Sequence, residues 1–132
     1  MPTFKVIEYK TPKTYFTLEL EVAKNLACWS LAKGIQDDPM VKRLAIRINK
    51  KDDSKFEVWD EGKYIVEVEI TKGVRKQIKD KIKGERAMIE GIKSGEIKFS
   101  LIGKKINASY ALIKTHNFPP GQKNAWLLIK HK

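Results

Sequence analysis

Alternation of apolar and polar residues dominates this chain. In TYFTLELE, residues 14–21, Phe16, Leu18 and Leu20 alternate with Tyr15, Thr17, Glu19 and Glu21. This is the period of a strand with one dry face and one polar face. Similar alternation or short apolar runs predict further strands over 3–9, 25–32, 41–48, 55–59, 64–70, 96–102, 107–114 and 125–131. Turn signals separate most of them, among them Asp37-Asp38-Pro39, Asp52-Asp53-Ser54, Glu61-Gly62 and Pro119-Pro120-Gly121. One stretch differs: Val74, Ile78 and Ile82 recur four apart, and Met88, Ile89 and Ile92 continue the stripe. That spacing predicts a helix over 72–93, or two short helices if Gly84 divides it. The pattern as a whole predicts a mainly β fold: a small β-barrel or a sandwich with one or two short helices.

Length and composition narrow this picture. The 132 residues, 42% of them hydrophobic, suit a single folded domain over 1–132. No apolar run reaches the ~18 residues of a membrane-spanning helix. The N-terminus MPTFKVIEYK lacks the apolar core of a signal peptide. Cys28 is the lone cysteine, so it makes no internal disulfide and joins no multi-cysteine metal site. A reduced, cytoplasmic protein is the simplest expectation, with no membrane partner.

Charge changes the picture more. The 27 Lys and Arg against 16 Asp and Glu give a formal +11, which suits a polyanion binder because phosphate contacts release counterions. A heat-adapted composition would explain the number of charges, but not their imbalance of sign. Residues 72–83 hold six cations against Asp80; they read either as a solvated helix face or as a phosphate contact. No phosphate loop, nucleophile elbow or HExxH motif occurs. His116 and His131 have no ligand-spaced neighbours. The pairs Glu19/Glu21 and Glu67/Glu69 each share a strand face, for cation binding, acid–base work or plain solvated ion pairing. In KRLAIRI, Arg43 and Arg47 share a face with Ala45, opposite the apolar Leu44, Ile46 and Ile48. With Lys33 they are cations at strand ends around a barrel mouth, suited to phosphate.

At this point the chain resembles a known family, the 3′-phosphoesterase domain of bacterial DNA ligase D. The run WSLAKGIQDDPMVKRLAIRI carries the family's Trp-(Ala)-x-x-Lys-Gly, acidic-Pro and Lys-Arg-Leu-Ala-x-Arg at Trp29, Lys33, Gly34, Asp38, Pro39, Lys42, Arg43, Leu44, Ala45 and Arg47. FEVWDEG resembles its Val-Trp-Asp-x-Gly turn at Trp59, Asp60 and Gly62. SGEIKFSLIGKKINASYALIKT and the tail WLLIKHK resemble two further blocks in the same order. The resemblance implies a small barrel with a few short helices and manganese-dependent trimming of 3′-phosphate or 3′-ribonucleotide ends in end-joining repair.

In that family two His and an Asp hold the metal, and an Arg and a later His contact the phosphate. Counting back from Lys33 without a gap puts the first four positions at Tyr9, Tyr15, Thr17 and Glu19, and the later His falls on Lys51. Of the phosphate-site residues, Lys33 and Arg43 remain. Phenols and a threonine hydroxyl are poor manganese donors, and Glu19 brings negative charge where phosphate should sit. The expectation is therefore a non-enzymatic, nucleic-acid-associated module with no cofactor. Its phosphate contacts would be Lys33, Arg43 and Arg47, and a repair-protein partner is conceivable. Two alternatives stand beside it: an enzyme of altered, metal-independent chemistry acting on nucleic-acid 3′ ends in a pocket of Tyr9, Tyr15, Thr17, Glu19 and Lys51, and a protein-interaction subunit.

Overall fold

In a computed structural model, which describes residues 2–10, 12–49, 56–116 and 119–131, the chain forms one antiparallel sheet closed into a barrel. The strands are β1 (Thr3–Tyr9), β2 (Tyr15–Val22), β3 (Asn25–Leu31), β4 (Lys42–Ile48), β5 (Phe56–Thr71), β6 (Val74–Ile78), β7 (Glu96–Gly103), β8 (Asn107–Lys114) and β9 (Ala125–Lys130). Their order is β1-β2-β3-β4-β9-β8-β7-β5-β6, and pairing of β5 back onto β1 closes eight of them. Closure removes the free edges that make an open sheet sticky. The mainly β barrel expected from the alternation is thus what forms.

The inward face of each strand supplies the core. Phe4 and Val6, Leu18 and Leu20, Ala27 and Trp29, Tyr64 and Val66, Phe99 and Leu101, Tyr110 and Leu112, Trp126 and Leu128 are all buried there. Trp29 and Trp126 meet edge to face, with ring centroids 5.6 Å apart, an arrangement that adds to their area burial.

Two elements differ from the sequence expectation. Glu61-Gly62 is no turn: β5 runs unbroken for 16 residues. A side chain on Gly62 would overlap the Ile102 carbonyl, so glycine there permits the close approach of β7. Residues 74–78 form a strand rather than the start of a helix. β5 outruns β1, and β6 hairpins back at Gly73 (φ +80°) to pair with the stretch from Val66 to Thr71, which is exposed from Val68 onward. Hydrogen bonding that edge outweighs the helical spacing of Val74 and Ile78.

The helix, α1, is Lys81–Ser94. Asp80 caps it by accepting from the Lys83 N–H at 2.9 Å, and Gly95 ends it in the left-handed region, the usual chemistry of both ends. Gly84 does not divide it; that glycine is buried facing Val66, and Met88 is buried within the barrel core. The cations of 72–83 therefore lie on a hairpin and a helix start, not on one helix face.

Candidate functional site

Inward placement of Leu18 and Leu20 turns Tyr15, Thr17 and Glu19 to the outer wall. The register sets Tyr9 beside Tyr15, Ile7 beside Thr17, and both Lys5 and Cys28 beside Glu19. The expected row is therefore assembled, and it is far from solvated: Tyr9, Thr17 and Glu19 are only 1%, 3% and 2% exposed. The Tyr9 and Tyr15 rings stack at 5.0 Å and 13°, and Phe56 leans on Tyr9 at 5.9 Å. The Thr17 hydroxyl is buried without a hydrogen-bond partner among the described residues. Glu21, just beyond the row, accepts from the Thr3 N–H at 3.1 Å, and its carbonyl accepts from the Tyr64 hydroxyl. Lys51 lies outside the described residues.

This donor set does not suit manganese, which favours carboxylate, carbonyl and water oxygens. Glu19 is the one carboxylate among the four described residues of the row. No group of three His, Cys, Asp or Glu converges anywhere among the described residues.

The arginines sit elsewhere. Arg47 pairs with Trp29, Ala45 with Trp126 and Arg43 with Leu128, all core residues. Arg43 and Arg47 therefore face the barrel interior, and the apolar Leu44, Ile46 and Ile48 face out. The wall thus separates these cations from the Tyr15-Thr17-Glu19 row. The Arg47 guanidinium lies 4.8 Å above the Trp29 ring, a cation–π contact. Burial lowers its pKa from the ordinary arginine value, because the charged form loses water. The Nε atoms of both arginines, the Trp29 Nε1 and the Gln36 Oε1 are buried without hydrogen-bond partners among the described residues. Gln36 is 3% exposed, and its Nε2 donates to the carbonyls of Val41 (2.9 Å) and Leu128 (2.6 Å). Lys33 is exposed beyond the end of β3, beside Gly34 at φ +77°.

Two further constellations were not assigned roles from the sequence. Asp60 is 3% exposed, and its carboxylate accepts from the N–H groups of Glu61, Lys104, Lys105 and Ile106. It ties the β7–β8 turn to β5, so FEVWDEG and the IGKKI turn are two halves of one lock. Glu67 is not solvated either: it pairs with Arg75 at 3.3 Å, both side chains about nine-tenths buried, and accepts from Ser109 at 3.1 Å. A groove of about 910 Å³ opens at the other end of the barrel, between α1, β5 and the β2–β3 turn, and includes none of these residues except Tyr64 and Glu21.

A closed barrel, an aromatic outer row and inward arginines without a carboxylate partner among the described residues define the site. No family model matches the chain. It is similar to the multifunctional non-homologous end joining protein LigD of Pseudomonas aeruginosa, at 26% identity over 143 residues. The match covers 96% of this chain and 15% of that protein, and points to a LigD-related domain. No helix among the described residues is long and apolar enough to cross a membrane.

Proposed function

We propose that this chain is a single-domain, phosphoesterase-like relative of LigD that acts without catalysis, as a cytoplasmic nucleic-acid-binding module in end repair. One observation carries the reading. Arg43 and Arg47 are half-buried on the inward face of β4, and neither forms an ion pair with a carboxylate among the described residues. Guanidiniums left partly desolvated and uncompensated are costly unless an anion completes them. With exposed Lys33 they offer two or three phosphate contacts on a chain of formal charge +11. The phenol and hydroxyl donors at Tyr9, Tyr15 and Thr17 support the absence of manganese chemistry.

The test is a salt series of binding to single-stranded and duplex DNA and RNA with 3′ ends. Two or three neutralised phosphates correspond to a loss of about 10- to 40-fold in affinity between roughly 50 and 200 mM salt. Lys33→Ala and Arg43→Ala should each weaken binding and flatten the slope by about one unit. Binding that ignores salt, or no binding at all, refutes the proposal. Release of 3′-phosphate in a manganese titration would instead favour the enzymatic alternative.

A further inference from the structure

The outer wall carries an aromatic surface that the phosphate reading leaves unused. Phe56 is 55% exposed, the one aromatic among the exposed large hydrophobics of the described residues. It opens β5 directly beside Tyr9, whose ring stacks on half-buried Tyr15. Val58, on the same face, is 42% exposed. Two residues along β2 from Tyr15 lies the buried Thr17 hydroxyl, without a hydrogen-bond partner among the described residues. Exposed Lys13 stands at the β1–β2 turn beside Lys10, which pairs with Glu57 at 2.9 Å, and exposed Lys5 continues down the same face of β1.

We propose that exposed Phe56 and half-buried Tyr15, both seated against the buried Tyr9 ring, form a stacking platform for an unpaired nucleobase, so that the occupant of this wall is a single strand of nucleic acid. The reasoning is one of complementarity. An exposed aromatic face flanked by lysines matches a strand that alternates flat bases with phosphates. A duplex hides its base faces and gains nothing from such a surface. The row that would carry metal ligands in a phosphoesterase carries rings here, and rings bind bases by their faces. The inference deepens the nucleic-acid reading and rests on it.

The experiment uses a single strand about twelve nucleotides long, within the reach of one small barrel, with 2-aminopurine at its 3′ terminus, and the matching duplex. The wild type should quench the 2-aminopurine on binding. Phe56→Leu, which keeps an apolar side chain but no ring, should lose the quenching and weaken single-strand binding by about 5- to 150-fold. Its salt slope and its duplex binding should stay as in the wild type. Phe56→Trp should retain both quenching and affinity. A Phe56→Leu variant that quenches and binds like the wild type overturns the platform while leaving the phosphate contacts standing. Loss of all binding by the wild type overturns both. A dimer that Phe56→Leu dissolves, with no quenching in either protein, would assign the patch to a second copy and also overturn it.

Discussion

Asp60→Asn is a sharp test of how the barrel holds its site. The carboxylate Oδ1 accepts from the N–H groups of Glu61 and Lys104, and Oδ2 from those of Lys105 and Ile106. Asparagine keeps one acceptor oxygen, so either rotamer aims an amide N–H at two backbone donors. The cheaper rotamer strands Glu61 and Lys104, whose bonds are part-buried, and keeps the buried bond to Ile106. Two orphaned, part-hydrated donors cost about 2–3 kcal/mol, the low end of the range for unsatisfied groups. For a chain of this length that is a fall in Tm of roughly 6–12 °C.

The acid response of the same variant carries a sign. Burial pushes the Asp60 carboxyl up, but its four backbone N–H donors outweigh that and hold its pKa below the ordinary aspartate value. A depressed folded pKa means the contribution is present above the unfolded value, about 3.9, and is lost as pH falls through the folded one. The gap in Tm between wild type and Asp60→Asn should therefore be full at neutral pH and close on acidification. Calorimetry across pH reads both. A variant within about 2 °C of the wild type at neutral pH refutes the lock. A gap that does not narrow in acid refutes the charge argument.

Two other outcomes are expected. Arg75→Met leaves the Glu67 carboxylate buried with only Ser109 to pair it, and should cost about 3–5 kcal/mol in urea unfolding; adding Glu67→Gln should restore part of that, and no recovery would refute a coupled pair. Burial pushes the Tyr64 phenol well above its ordinary range and the Tyr110 phenol up to about 12. Raised folded pKa values mean that stability is present below the unfolded value near 10 and lost as pH rises through the folded ones. An alkaline absorbance titration should show these two phenols ionising together with loss of the fold, and both titrating near pH ~10 with an unchanged far-UV spectrum would refute it.

The alternation in TYFTLELE reported correctly that Leu18 and Leu20 are core and that Tyr15, Thr17 and Glu19 share the other face. It did not report that the polar row is buried, because burial of an outer wall depends on neighbours far away in sequence. β4 inverted the expectation for a related reason. Leu44, Ile46 and Ile48 read as the dry face, yet Ala45 is the residue with no exposure. The interior there is already filled by Trp29 and Trp126, which pair with Arg47 and Ala45. A small residue fits beside two indoles, and an arginine can lie flat on one of them.

Period and composition by themselves determined most of the strands, the helix over most of its length, the polar row on β2 and the basic balance, since these depend on local geometry and on counting. Tertiary structure decided which face of β4 looks inward, that β6 pairs with the overhanging edge of β5, and that Asp60 is a lock rather than a loose turn residue. Each of those outcomes depends on volume, edge pairing or backbone donors supplied by distant segments. A single strand carries no information about what will be packed against it.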